Sequence, residues 1–284
     1  MSVQASVVIP AHDEAAVIDR LLSGLAHDPR ADTLEIVVVA NGCRDDTAAR
    51  AAAHRGVRVV EIDRASKIAA LNAADAEAVA FPRVYLDADV TIDVDTILAL
   101  ADELDRDGIE VASPRLVVDT SHASWAVRQH YRVWELSDYR ATGHIGSGVY
   151  ALSARGRARF DDWPEVIADD RFVQQLFAPA ERGTLREHSF TVRSPARFAS
   201  HLRRSTRIAR GNRELAATVA PQTPGPDGAS RGRLVRRVAA RPRLWVPFAV
   251  YCVSWTLPNV IAARTIARGD APAWNRDETS RAST

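Results

Sequence analysis

The sequence predicts an α/β fold built on a mostly parallel sheet with helices on both faces, and three observations carry that expectation. Short, nearly continuous apolar runs (Val7 to Ile9, Leu34 to Val39, Val57 to Ile62, Val84 to Leu86) alternate with segments of helical period, and strands that are apolar throughout belong to sheets covered on both faces. The segments between them place apolar residues three and four apart, as an amphipathic helix requires. The loops of unusual polar chemistry, Pro10 to Glu14, Ala40 to Thr47 and Asp87 to Asp89, all follow such runs. Ligands of parallel sheets gather at those carboxyl ends.

Taken in order, Val7-Val8-Ile9 is stopped by Pro10, and Val17, Leu21, Leu22 and Leu25 follow on one helical face. A second strand over Leu34 to Val39 enters the turn-rich Asn41-Gly42-Cys43-Arg44-Asp45-Asp46-Thr47 and an alanine-rich helix to about residue 54. The third strand is followed by a helix around Ile68 to Ala78. The fourth run, Val84-Tyr85-Leu86, delivers Asp87-Ala88-Asp89. Two carboxylates one residue apart at a strand end are hard oxygen ligands suited to Mg²⁺ or Mn²⁺, and an ion that also touches a diphosphate needs only one or two of them. Ile97, Leu98, Ala101 and Leu104 mark one more helix, beyond which the alternation weakens.

In the second half Trp125, Tyr131, Trp134 and Tyr139 read as core aromatics. Gly143, Gly146 and Gly148, with Ser147 between the last two, precede an apolar run. They allow either close backbone approach to a ligand or a tight turn before a strand. Asp169 and Asp170 stand at a helix start, where acidic residues also serve as ordinary caps.

Residues 1–192 hold 20 Arg and Lys against 31 Asp and Glu, whereas residues 193–284 hold 17 against 5. A basic C-terminal part suggests a phosphate-rich partner, with solvated arginines as the plain alternative. Six arginines between Arg231 and Arg243 precede 244–263, twenty residues without a formal charge. Length permits a spanning helix. Pro247, Pro258, Asn259 and arginines on both flanks equally allow an interfacial helix pair with Trp245, Tyr251 and Trp255 at headgroup depth, or a packed C-terminal helix. Two cysteines, Cys43 and Cys252, have no paired spacing, so neither a disulfide framework nor a zinc motif is indicated. A reducing cytoplasmic setting fits, and no export signal is visible at the N-terminus.

With these loops in place the chain resembles a family 2 glycosyltransferase of the GT-A fold, a Rossmann-like α/β arrangement, over roughly residues 5–215. The likeness rests on Val-Val-Ile-Pro-Ala-His-Asp-Glu (7–14), Asn-Gly-Cys-Arg-Asp-Asp-Thr (41–47), Lys67-Ile-Ala-Ala-Leu-Asn72, Asp87-Ala88-Asp89 and Asp169-Asp170. It implies an inverting, metal-dependent transferase that moves a sugar from a nucleotide-diphosphate donor to an acceptor hydroxyl, lipid-linked or otherwise hydrophobic. Pro10, Ala11, Asp13, Glu14 and Asn41 would border the base and ribose, and Asp87 with Ala88 would lie near the ribose or sugar. Asp89 would hold the Mg²⁺ or Mn²⁺ that bridges the diphosphate, and Arg204 and Arg207 would supply further cations. Gly146, Ser147, Gly148 and Asp169 would lie on the acceptor side. Asp170 takes the position of the family's catalytic base.

The implied organisation is a catalytic domain over 1–220 (donor half about 1–110, acceptor half about 111–220) and a linker at 221–230. A basic and hydrophobic helical segment that associates with the membrane follows over 231–270, and then a disordered tail at 271–284. The enzyme would be cytoplasmic and peripheral at the inner membrane surface. Many relatives carry two aspartates where this chain has Ala40 and Asn41, which leaves the donor base open. The Gln-x-x-Arg-Trp motif of processive members is missing, so single addition is expected.

Lys67 is the one lysine among 37 basic residues. Its presence in an arginine-using chain suggests that a compact ammonium, not a planar fork, is required near the donor. Two other functions compete. A sugar-phosphate nucleotidyltransferase would want a basic, Gly-rich loop where Pro10 to Glu14 is acidic. A non-catalytic, membrane-docked binding module would not need Asp87, Asp89 and Asp170 intact. No aromatic-interleaved basic surface points to nucleic acid.

Overall fold

A computed structural model of the chain describes residues 3–138, 144–166, 168–218 and 228–269. Tyr139, Gly143, most of the expected 221–230 linker and the expected 271–284 tail lie outside the described residues.

The architecture is an eight-stranded α/β sheet. Strands β1 (Ala5–Ala11), β2 (Leu34–Asn41), β3 (Val57–Ile62) and β4 (Arg83–Leu86) form its parallel half in the spatial order β3-β2-β1-β4. Alternate residues of these strands serve opposite faces, as the period of two demands. Val7, Ile9, Ile36 and Val38 pack on Leu21, Leu22 and Leu25 of α1 (Ala15–Ala26) and Ile97 and Leu100 of α4 (Val94–Leu104). Val8, Val37 and Val39 pack on Ile68, Leu71 and Ala74 of α3 (Lys67–Glu77) and on Phe172 and Val173 of α7 (Asp169–Leu176). Burial on both faces explains why these strands are apolar at successive positions. The short α2 (Thr47–Ala52) follows β2.

Beyond β4 the sheet turns mixed. Strand β7 (Val149–Leu152) runs antiparallel to β4, with Tyr85 opposite Tyr150 and Leu86 opposite Val149, and β6 (Val111–Asp119), β8 (Arg182–Arg193) and β5 (Val90–Thr91) complete the order. The β4–β7 junction is where direction changes, and it brings the end of β4 against the turn that precedes β7. Helix α5 (Trp125–Trp134) corrects one expectation. Its buried side chains are Val127, Gln129, His130 and Val133, whereas Trp125 is 54% exposed and Tyr131 and Trp134 are only partly covered, so these aromatics are not core. The helix turns its shorter apolar residues inward.

The short α6 (Ala154–Arg157) and the long α8 (Phe198–Thr218) lead to α9 (Gly228–Ala239) and α10 (Trp245–Ala267). Leu234, Val238, Leu244 and Phe248 pack on Val133 of α5, and Arg233 and Arg237 both pair with Asp138 at 2.6 and 2.7 Å. Helix α10 lies along α5 and α8. Its buried stripe is Pro247, Ser254, Pro258 and Ala262, while Trp245, Val246, Val253, Trp255, Leu257, Val260 and Ile261 face outward.

Candidate active site

The site grows from the carboxyl ends of β1, β2 and β4. Pro10 and Ala11 are the last residues of β1 and are buried. Asp13 takes a left-handed backbone (φ 47°) and its Oδ1 accepts the Arg44 N–H at 2.6 Å, tying the loop after β1 to the loop after β2. The buried Glu14 precedes α1, and its N–H donates to Thr47 Oγ1 at 2.7 Å. Asn41 ends β2 with its side chain 2% exposed, and its Nδ2 donates to the Ala11 carbonyl at 2.7 Å. Asn41 thus joins the two strand ends from within the sheet.

Asp87, Ala88 and Asp89 form the turn that connects β4 to β5. Lys67, the first residue of α3, reaches over the strand ends and lies 2.7 Å from Asp87 Oδ1 and 3.0 Å from Asp169 Oδ1. The remaining oxygen of Asp169 accepts the Tyr150 hydroxyl at 3.0 Å. One ammonium is therefore shared by two carboxylates that stand 82 residues apart in sequence. Burial would raise the Asp87 pKa, but Lys67, Arg207 and Arg204 bring it below the ordinary carboxylate value. Asp169 is shifted the other way, because burial pushes it up and Lys67 only partly offsets burial and the nearby Asp170 and Asp87 charges. Lys67 itself would lose its proton more readily through burial, yet the two carboxylates raise its pKa and keep it a cation. The same geometry brings Arg204 and Arg207 of α8 into the field of Asp87.

Gly146, Ser147 and Gly148 all have positive φ, 111°, 62° and 106°, and form the tight turn into β7. A Cβ on Gly146 would stand 2.4 Å from Asp170 Cβ, and one on Gly148 would stand 3.2 Å from Asp87 Oδ2. The glycines therefore permit close approach of two carboxylate side chains as well as the turn. Asp170 Oδ2 accepts the Ser147 N–H at 3.0 Å and its Oδ1 accepts the Arg171 N–H at 2.7 Å. His144 Nε2 lies 2.8 Å from the Ser147 hydroxyl.

Asp87, Asp169, Asp170, Lys67 and the glycine turn thus converge at one place, where β4 meets β7. Asp89 fits a hard divalent ion. Its carboxylate is part-exposed in the turn and, among the described residues, has no hydrogen-bond or ion-pair partner. An oxygen donor of that kind suits Mg²⁺ or Mn²⁺. Tyr150 was not singled out from the sequence. Its signal is positional only, since a strand position opposite Tyr85 puts its hydroxyl toward Asp169. His12, Asp13 and Cys43 also offer donor atoms within 4.8 Å of one another, although no zinc spacing is visible in the sequence.

The glycosyl transferase family 2 profile matches residues 6–160, more than half of the chain. The chain belongs to this family. Among solved structures, the family 2 chain resembles a mannosyltransferase from Pyrobaculum calidifontis in complex with GDP-Man and Mn²⁺, with a TM-score of 0.61 and 21% identity over 95% of this chain and 80% of that one. It also resembles glucosyl-3-phosphoglycerate synthase from Mycobacterium tuberculosis in complex with Mn²⁺, UDP-Glc and phosphoglyceric acid, with a TM-score of 0.56 and 20% identity over 79% and 81% of the two chains. At such identities the likeness is one of fold. No curated protein matches the family 2 chain by sequence.

Proposed function

We propose that this family 2 protein is an inverting, divalent-metal-dependent glycosyltransferase that moves a sugar from a nucleotide-diphosphate donor to a hydroxyl of a lipid-linked or hydrophobic acceptor. The observation that carries the reading is the convergence of Asp87, Lys67, Asp169 and Asp170 around the Gly146–Gly148 turn, with the part-exposed carboxylate of Asp89 two residues along the chain from Asp87. The solved relatives with nucleotide sugars and Mn²⁺ support the same reading.

In this reading residues 1–110 hold the donor and residues 111–220 the acceptor. The loops Pro10 to Glu14 and Asn41 to Thr47 flank the nucleoside, and Lys67, Arg204 and Arg207 supply positive charge toward the diphosphate. Asp89 would hold the metal, which supplies charge to the departing nucleoside diphosphate. Asp170 takes the acceptor proton. The hydroxyl oxygen bonds to the anomeric carbon as the bond from that carbon to the diphosphate oxygen breaks, and the electron pair leaves on the diphosphate. One displacement inverts the configuration. Asp169 is unsuited to the base role, because it is 3% exposed and both its oxygens are engaged by Lys67 and Tyr150.

The acceptor class rests on α10. A helix packed on a soluble domain buries its apolar face, whereas α10 buries proline, serine and alanine and turns tryptophan, valine, leucine and isoleucine outward. With the arginines of α9 beside it, that face supports docking on an anionic membrane surface, and in this reading the enzyme works at the inner face of the membrane. The decisive measurement is a thermal-shift screen of nucleotide sugars with and without Mn²⁺, since a ligand bound only by the folded state raises its stability. One donor should raise the Tm of the wild type only with metal, and Asp89→Asn should lose that response. If no nucleotide sugar stabilises the wild type with metal present, the reading fails.

A further inference from the structure

We propose that the corner between α5, α9 and α10 binds the phosphate headgroup of an acidic membrane lipid. A groove of about 580 Å³ opens there, lined by Arg132, Leu136, Arg241, Pro242, Arg243 and Leu244. Its size lies within the roughly 300–1,000 Å³ of small-molecule sites. None of these residues belongs to the crevice where β4 meets β7. The proposal rests on the reading of α10 as a membrane-facing helix and assumes nothing about the sugar transfer.

The fold builds the groove from two sides. Leu244 is buried with Leu234, Val238 and Val133, and the half-buried Leu136 packs on the same cluster, which fixes the connection between α9 and α10 on the end of α5. That connection is a 3₁₀ turn over Pro242–Leu244, in which the Leu244 N–H donates to the Arg241 carbonyl at 2.8 Å and proline presets the backbone of the first residue. Arg241 and Arg243 thus flank Pro242, and Arg132 stands on the last turn of α5. All three are exposed. Among the described residues none of them pairs with a carboxylate, since Asp138 nearby is taken by Arg233 and Arg237. Arg132 spends one of its five N–H donors on Gln129 Oε1 at 2.8 Å. An arginine offers an apolar stem below a charged fork, so the stems with Leu136, Pro242 and Leu244 make an apolar floor under a cationic rim. Like charges gathered around one groove repel, and an anion between them relieves the repulsion. Guanidinium forks match phosphate oxygens. The floor favours a lipid over free phosphate, because it suits the glycerol and first chain carbons. So does continuity with α10, whose Trp245 and Val246 follow Leu244 directly and are 59% and 61% exposed.

Calorimetric titration of the full chain with dioctanoyl phosphatidic acid, kept below its micelle concentration, tests it. One molecule should bind per chain, with inorganic phosphate and dioctanoylglycerol both far weaker. No binding of the phosphatidic acid overturns the proposal. Equal affinity for inorganic phosphate, which marks a free-anion site, or for dioctanoylglycerol, which marks a merely apolar one, overturns it too. Arg132→Gln, Arg241→Gln and Arg243→Gln combined should weaken binding by about tenfold or more. The same loss of charge at the exposed Arg236, Arg264 and Arg268, outside the groove, should change it by less than about threefold, and equal losses in the two triple variants overturn the proposal. Should a variant fail to fold, the three ligands compared on the wild type decide the matter. Flotation with vesicles containing phosphatidic acid separates the two readings. Binding of the short-chain lipid without flotation upholds the groove and refutes α10 as membrane-facing, whereas flotation without that binding overturns the groove and leaves α10 standing.

Discussion

At the scale of single residues the site is governed by charge sharing. Lys67 touches Asp87 with one hydrogen-bonding distance and Asp169 with another, which a compact ammonium does and a planar guanidinium fork does poorly. Lys67→Arg should therefore keep the charge and still weaken donor binding, as calorimetry with the cognate nucleotide sugar would show. Undiminished affinity would mean that charge alone suffices. Asp170 is held by two backbone N–H groups and keeps lone pairs for an acceptor proton. Asp170→Asn should leave donor affinity near normal and lower transfer by about 10²- to 10⁴-fold, and single-turnover assays separate the two quantities. Asp87 and Asp169 were legible as carboxylates at a strand end and a helix start. Their joint use of Lys67 was not, because the contact between positions 67 and 169 exists only once β7 has paired antiparallel to β4.

The turn from Gly146 to Gly148 and the C-terminal helices make the argument at the scale of elements. Alanine at Gly146 meets both an unfavourable φ and a 2.4 Å approach to Asp170. Gly146→Ala should destabilise the fold by about 1–3 kcal/mol and reduce transfer as Asp170 is displaced. Gly108→Ala has a positive φ of 83° but open space around the new methyl, so it should show strain without loss of transfer. Helix α10 should hold the full chain on liposomes rich in anionic lipid at low salt, with release as salt rises. Replacing Trp245 and Trp255 by Gln should abolish sedimentation with the vesicles, and a wild type that stays wholly in the supernatant would refute interfacial docking. The apolar strands of the parallel half were readable because both their faces are covered. Helix α5 was misread because Trp125 is exposed and Tyr131 and Trp134 are only partly covered, while a buried histidine and glutamine line the inner face.

For the whole molecule, helices α5 and α8 meet the C-terminal helix α10 through buried polar contacts. His130 of α5 is hydrogen-bonded through Nδ1 to Ser254 of α10 at 2.6 Å and stands 4.2 Å, centroid to centroid, from His201 of α8. Burial first, and the neighbouring His201 second, depress the His130 pKa to about 3. The unfolded chain takes up this proton near the ordinary value of about 6.5 and the folded chain does not, so between those values the unfolded state binds more protons. Stability is then complete above pH 6.5 and is lost as pH falls. By pH 5 the loss from this group should reach about 2 kcal/mol. Urea unfolding at pH 7 and pH 5 should show a smaller difference for His130→Asn than for the wild type, and an unchanged difference would remove His130 from the linkage. This dependence could not be read from the sequence, where nothing marks which of the 8 histidines is buried.

The solitary lysine also has a practical consequence. A chain with one side-chain ammonium gives one resonance when lysine alone carries a ¹⁵N label on Nζ, so assignment needs no mutants. That nucleus sits between the carboxylate of the β4 turn and the carboxylate at the start of α7. Its chemical shift would report on both halves of the crevice in a single spectrum, moving in one way when a donor fills the first half and in another when an acceptor fills the second.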